Sequence, residues 1–213
     1  MSALDPTTAG PRGWHYDEES GMFTRHPVPD LPGETTLCQV LSLPDAELRR
    51  GIAVHEAGHA VVLLALGIPI ETIAIGSPDD DVDGFVRVAG THRAALDDLL
   101  VMCAAGERAQ DRWLREAGLW SPTRAWAVEL LARHDRDRAA DAVRITYDTE
   151  LTFGTGDDPT RDLAALHRYT DHALDRLWPR VLNVAEALDR LGSLTELQAA
   201  EAAFTPDLVG GAR

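Results

Sequence analysis

Two histidines and a glutamate stand close together in one apolar stretch of the sequence. His55 and His59 are four residues apart, and Glu56 directly follows the first of them, in the order His-Glu-Ala-Gly-His. Side chains at positions i and i+4 share one face of a helix, so both imidazoles can point at the same place. Two neutral imidazoles one turn apart suit tetrahedral zinc, and a glutamate beside them can take a proton from zinc-activated water. The pattern predicts a zinc site with Glu56 as the general base.

The residues around the motif predict the helix that positions it. The run Leu43–Glu47 is typical of a helix start, because proline fits the first turn and acidic side chains complement the positive helix end. Gly67 is expected to end the helix, and Pro69 prevents its continuation. Gly58, in the helix interior, indicates that another backbone passes close by. The other interpretation is a core helix in which two histidines happen to fall four residues apart, although burying them without partners is costly.

A catalytic zinc ion needs a third protein ligand and one open position. The longer motif with a third histidine is excluded, because Val62 stands at its glycine position and no third histidine follows. Acidic residues remain as candidates. Glu107 is one of them, since it is followed at i+4 by an aspartate, and Asp135 and Asp137 are the others. Residue types and spacing alone do not decide which of these three acids is the third ligand.

Composition limits the classes of function. The chain has 213 residues, 45% of them hydrophobic, which is enough for one domain with a real core. Its net charge of -15 argues against nucleic acid or an anionic membrane surface as the main partner. The two cysteines, Cys38 and Cys103, form neither a disulfide framework nor a cysteine-rich zinc site, which fits a cytoplasmic protein.

Targeting and nucleotide-binding patterns are not expected in this chain. The first residues lack a basic region followed by an apolar run, so no signal peptide is predicted. The longest apolar run, residues 60–70, is too short to span a bilayer. All 20 basic residues are arginines, and a chain without lysine cannot form the lysine-containing phosphate loop of an ATPase.

The order of patterns predicts a mainly α fold with a small β-hairpin or sheet. Residues 1–42 are predicted as a partly extended N-terminal arm, within which residues 14–24 form a small hairpin. Residues 43–204 form the main domain, with a β-hairpin over residues 70–89 and helices after it, and residues 205–213 form a tail. The helical pattern of residues 160–192 fits one long helix or a pair, with a kink at its proline.

The sequence around the motif resembles the peptidase domain of the FtsH family of ATP-dependent zinc proteases. Residues 53–62, Ala-Val-His-Glu-Ala-Gly-His-Ala-Val-Val, are similar to that family's His-Glu-Ala-Gly-His motif. Residues 105–110 are similar to its downstream Gly-Gly-Arg-Ala-Ala-Glu helix, and residues 177–195 to its last helices. The resemblance covers about residues 45–200. It implies an FtsH-peptidase-like helical zincin fold, that is, a zinc peptidase-like domain.

The resemblance also implies a third zinc ligand. Residues 134–144 fit the family's Asn-Asp-Leu-x-x-Ala-Thr-x-x-Ala-Arg segment, whose aspartate binds the metal, and this places the ligand at Asp135. The metal set is then His55, His59 and Asp135. The chain departs from the family at His134 and Arg136, which stand where the family has asparagine and leucine, so Asp137 and Glu107 stay rival ligands. The family's AAA ATPase domain and membrane helices are also not found in this sequence.

These observations predict a stand-alone zinc-dependent endopeptidase that cleaves unstructured peptides or one specific protein partner. Without an ATPase domain it would need a separate unfoldase or a regulatory partner to act on folded substrates. The alternative is a catalytically silent zinc-binding interaction or regulatory module. The intact Glu56 weighs against that alternative, because a structural zinc site needs no base and fills all four positions with protein ligands.

Overall fold

The computed structural model describes residues 13–30, 35–76, 84–90 and 94–205. The fold is mainly helical with two small antiparallel sheets, as the sequence predicts. In chain order its elements are β1 (His15–Asp17), β2 (Met22–Thr24), α1 (Leu37–Leu41), α2 (Asp45–Ala65), β3 (Ile70–Ile75), β4 (Gly84–Val88), α3 (Leu96–Glu116), α4 (Pro122–Leu131), α5 (Arg133–Tyr147), α6 (Leu163–Leu191), β5 (Ser193–Thr195) and α7 (Glu196–Phe204). None of the helices within these ranges combines the length and the apolar character that crossing a membrane requires.

Helix α2, which carries the His-Glu-x-x-His motif, is central to the main core. It begins after Pro44, has two acidic residues in its first turn, and is followed by Gly67 at a φ of +70°, so the predicted start and end are confirmed. It packs against both α3 and α6. A Cβ atom at Gly58 would lie 2.7 Å from the carbonyl oxygen of Ala105, so the predicted close approach of another backbone is also confirmed.

The main core joins α2, α3, α5 and α6 with the three-stranded sheet and the N-terminal hairpin. Residues 160–192, for which the sequence allows one helix or two, contain the single helix α6 that runs through Pro179. A second, smaller apolar cluster joins α1 and α4 to the end of α3. Helix α3 makes apolar contacts with one or the other cluster along most of its length. These contacts fix the position of α3 beside the histidines of α2.

The larger sheet has the strand order β4-β3-β5, all antiparallel. The predicted β3–β4 hairpin is confirmed, with Ile73 opposite Val86. Strand β5 was not predicted, because only helices were expected after the β3–β4 hairpin. Leu194 instead pairs with Ile73 and buries its side chain, and Thr195 caps α7 through a capping box with Gln198. Among the described strands β4 pairs only with β3, so it is an edge strand.

The described part of the N-terminal arm packs on the body of the protein. Strands β1 and β2 pair antiparallel, as predicted, and Trp14 beside them is 2% exposed. Residues 37–41, predicted as part of an extended arm, form helix α1 because Thr36 and Gln39 make a capping box at its start. Residues 1–12 and 31–34 of the predicted arm and residues 206–213 of the predicted tail lie outside the described residues. The domain boundaries therefore stay predictions.

Candidate metal centre

Three side chains from two helices meet at one point. The Nε2 atoms of His55 and His59, both on α2, are 3.2 Å apart. The Oδ2 atom of Asp135, in the first turn of α5, lies 3.4 Å from Nε2 of His55 and 3.2 Å from Nε2 of His59. One potential ligand atom from each residue thus lies within 4.8 Å of the others, which makes the group a possible metal site. The structure therefore brings together the three residues predicted as the metal set.

The two rival ligands are not part of this group. Both carboxylate oxygens of Glu107 accept hydrogen bonds from Arg136, at 2.7 and 2.9 Å, and the side chain is buried. Asp137, two residues beyond Asp135 on α5, is exposed. Residue types left three acids as candidates for the third metal ligand. Helix packing favours Asp135, because it alone of the three lies against both imidazoles.

The other ring nitrogens of the histidines are held by α3. Nδ1 of His59 lies 2.7 Å from the main-chain carbonyl oxygen of Met102, and Nδ1 of His55 lies 3.2 Å from Oε1 of Gln110. A carbonyl oxygen can only accept, so each Nδ1 carries the proton and donates it. The lone pair of each neutral ring is then on Nε2 and faces the other donor atoms, which is the arrangement that metal-binding histidines need.

A glycine makes room for the two rings. A Cβ atom at Gly106, in the interior of α3, would lie 2.5 Å from Nε2 of His55 and would also overlap Nε2 of His59. The imidazoles therefore lie directly on the backbone of α3 at this position. A donor set of two imidazoles and one carboxylate, converging in a space that a single methyl group would fill, fits a small metal ion.

The charges in this group favour a cation. Burial by itself lowers the pKa of His59, but the adjacent Asp135 carboxylate outweighs it and raises that pKa to about 9. Burial also acts to raise the pKa of Asp135, but the charge of a protonated His59 and the closeness of both imidazole Nε2 atoms hold it well below its usual range. The ionised carboxylate thus stabilises positive charge at the imidazoles, whether a proton or a metal ion supplies it.

Glu56 directly follows His55 on α2 and its charge acts on His59, although it is not one of the three converging donors. Its side chain is buried on α2, and Gly84 at the start of β4 covers it. A Cβ atom at Gly84 would be 2.7 Å from Cγ and 2.8 Å from Oε1 of Glu56, so only a glycine allows the strand to pass so near. The predicted general base is therefore adjacent both to the candidate metal ligands and to the edge strand β4.

The sequence analysis missed the supporting residues on α3. Met102, Gly106 and Gln110 recur every four residues, which places them in one stripe along the helix. That stripe supplies the carbonyl acceptor, the space for the rings and the amide acceptor. A glycine and an amide residue four positions apart on one face of a predicted helix are the signal that could have found it. Gly84 carries no comparable signal, because a glycine between a turn and a strand is typical of an ordinary turn residue.

A scan of the chain against models of known protein families gave no match, and a search of curated proteins found no similar sequence. Membership of a family therefore stays a prediction from the motif in residues 53–62.

Proposed function

We propose that this protein is a zinc-dependent peptidase with a fold like the FtsH peptidase domain. It would cleave peptide bonds in unstructured peptides or in one specific protein partner. The observation that carries the proposal is the convergence of two imidazole Nε2 atoms and one carboxylate oxygen, with the buried Glu56 beside them. In this proposal His55, His59 and Asp135 hold the zinc ion.

Zinc is favoured over other metals by the residue next to the ligands. Two histidines and one carboxylate are also used by non-haem iron enzymes, so the donor set alone does not select the metal. A carboxylate base directly beside the ligands on the same helix is what hydrolysis needs, and it has no such role in oxygen chemistry. Three protein ligands also leave one position open, as in catalytic rather than structural zinc sites.

The residues of the site have separate tasks in peptide hydrolysis. Zinc, when bound, supplies a Lewis acid and lowers the pKa of water from 15.7 to about 7. The Glu56 carboxylate accepts a proton from the attacking water and then returns it to the leaving amine. The Met102 carbonyl and the Gln110 amide keep the proton of each imidazole on Nδ1. Burial of Glu56 excludes bulk water, so these interactions are stronger than they would be in solution.

The edge strand supports an extended peptide as the substrate. Strand β4 pairs with β3 on one side, and its first residue lies against Glu56. A peptide that added to the outer edge of β4 would form main-chain hydrogen bonds there and pass close to the base. Such addition requires an extended chain, so folded proteins would need a separate unfoldase or a partner that presents a loose segment.

Removal of the metal tests the proposal. The untagged protein should cleave a library of unstructured peptides, lose that activity with 1,10-phenanthroline, and regain it when zinc is added back. The isomer 1,7-phenanthroline, which does not chelate, is the control and should leave cleavage unchanged. Cleavage that persists after metal removal would contradict the proposal. A metal-loaded protein that cleaves none of the peptides would favour the silent zinc-binding module instead.

A further inference from the structure

Three buried charged side chains and one partly exposed arginine form a second cluster next to the candidate metal centre. Glu107 on α3 and Glu129 on α4 are each 1% exposed. Arg136 on α5 and Arg25, just after β2, supply two guanidinium groups. We call these four residues the buried ion cluster. Two carboxylates and two guanidiniums balance in charge, which makes their joint burial tolerable.

Arg136 is the centre of this cluster. Its Nε and Nη2 atoms donate to the two oxygens of Glu107 at 2.7 and 2.9 Å, the two-pronged arrangement that fixes both partners. Its Nη1 atom donates to the carbonyl oxygen of Phe23 at 2.9 Å, and Nη2 also lies 3.4 Å from Oε1 of Glu129. One side chain thereby joins α3, α4, α5 and the N-terminal hairpin.

The positions of the two partners relate the cluster to the metal centre. Arg136 directly follows Asp135 in the first turn of α5, and Glu107 directly follows Gly106, on which both imidazoles lie. The N-terminus of α5 has no side-chain cap of its own. The Arg136–Glu107 pair therefore supplies a strong polar anchor where the chain offers no capping side chain. It fixes the distance between the helix that bears Asp135 and the helix that supports the histidines.

Residues at the end of the N-terminal β1–β2 hairpin bind Glu129, the second carboxylate of the buried ion cluster. Thr24 Oγ1 donates to Oε2 of Glu129 at 2.6 Å, and Arg25 Nε donates to its Oε1 at 3.1 Å. The Trp14 ring lies 5.6 Å from the guanidinium carbon of Arg25 and 5.6 Å from that of Arg136. Residues 14–25 are thus part of the environment that holds Arg136.

Two histidines at the edge of the cluster add no charge at neutral pH. Burial and the positive charge of Arg25 lower the pKa of His26 to about 4. Burial also holds the pKa of His167 well below its usual value, although its ring lies 3.7 Å from Glu107. Loss of Arg136 would therefore remove the closest counter-charge of the buried Glu107 carboxylate and leave Arg25, 4.0 Å away, in its place.

We propose that Arg136 is a positioning residue for Asp135, and that the N-terminal hairpin acts through Arg136 as part of the scaffold of the metal site. The proposal rests on the proposed function, because it takes the group at Asp135 to bind a divalent metal ion. It assigns residues 14–25 a role in metal affinity, whereas an arm independent of the domain would have none.

Metal affinity and cobalt spectroscopy test this role in the full-length chain. Arg136→Gln should weaken zinc binding by about 10- to 100-fold, as changes behind a metal ligand commonly do. It should also alter the visible absorption of bound Co²⁺, which reports the ligand geometry. Arg136→Lys keeps the positive charge but not the two-pronged geometry, so we expect a loss of zinc affinity smaller than that of Arg136→Gln. Thr24→Val acts from the hairpin, and we expect a smaller loss of affinity in the same direction.

Arg108→Gln is the matched control. Arg108 follows Glu107 on α3, is buried, and donates two hydrogen bonds to Asp171 of α6, at 2.8 and 3.1 Å. Its replacement removes another two-pronged ion pair of α3, partly exposed at Asp171, that does not involve α5. The variant should unfold at a lower temperature while keeping the zinc affinity and the cobalt spectrum of the wild type.

The outcomes separate this inference from the proposed function. A wild-type protein that binds no metal would overturn both. Wild-type metal binding with unchanged affinity and spectrum in Arg136→Gln and Thr24→Val would overturn the positioning role alone. If Arg136→Gln does not fold, the zinc affinities and cobalt spectra of Arg136→Lys and Thr24→Val test the positioning role instead. An equal loss of zinc affinity in Arg108→Gln would also contradict the positioning role of Arg136, since the loss would then come from general destabilisation.

Discussion

Replacing Glu56 by glutamine should lower the rate of peptide cleavage by about 100- to 10,000-fold, the range that general acid–base catalysis supplies. Glutamine has nearly the same shape, but its neutral amide cannot accept the proton that the attacking water must lose. Glu56 is not one of the three converging donors, so the zinc content of the variant should equal that of the wild type. Cleavage and metal content measured on the same preparation give both results.

Glu47→Gln provides the control for this experiment. Glu47 lies on the same helix, in its first turn, and the chemical change is identical. Its replacement weakens a favourable interaction with the helix end by about 0.3–1 kcal/mol and leaves cleavage unaffected. If Glu56→Gln cleaved peptides as fast as Glu47→Gln, Glu56 would not be the general base.

Replacing Gly106 by alanine should abolish metal binding without unfolding the protein. The new methyl group would stand 2.5 Å from Nε2 of His55 and would overlap His59 as well, so the rings would have to leave the position they share with Asp135. The helix itself gains, because alanine favours a helix interior over glycine by about 1 kcal/mol. Isothermal titration with zinc, together with circular dichroism, separates the loss of the site from a loss of fold.

Gly156→Ala adds the same methyl group where there is space. The nearest atom to a Cβ at Gly156 is Cβ of Asp162, at 3.5 Å, which is an ordinary contact. This variant should bind zinc as the wild type does. Wild-type zinc affinity in Gly106→Ala would show that the two imidazoles do not bind zinc from their positions against the backbone of α3.

The parts of the fold that depend on nearby residues could be predicted from the sequence. Helix α2 and the convergence of His55 and His59 follow from a four-residue spacing and from a start and stop signal at either end. The β1–β2 and β3–β4 hairpins likewise join neighbouring segments. Helix α1 was missed even though its signal is local, because the capping box of Thr36 and Gln39 lies in a segment rich in proline and glycine.

The parts that depend on distant residues could not be predicted from spacing. Asp135 reaches His55 across 80 positions, and its choice over Glu107 depends on how α5 packs on α3. The resemblance to a family placed the ligand at Asp135, whereas residue types left three acids open. Strand β5 pairs with β3 across more than 100 residues, and three residues are too short to give a periodic pattern.

Zinc content measured by mass spectrometry of the untagged protein tests the central claim most directly. The wild type should contain about one zinc ion per chain, and Asp135→Ala should lose it, because two imidazoles alone bind zinc weakly. Asp137→Ala, which removes an exposed carboxylate two residues away, is the matched control and should keep the metal. Zinc retained in Asp135→Ala, or absent from the wild type under conditions that load other zinc proteins, would contradict the assignment of this centre.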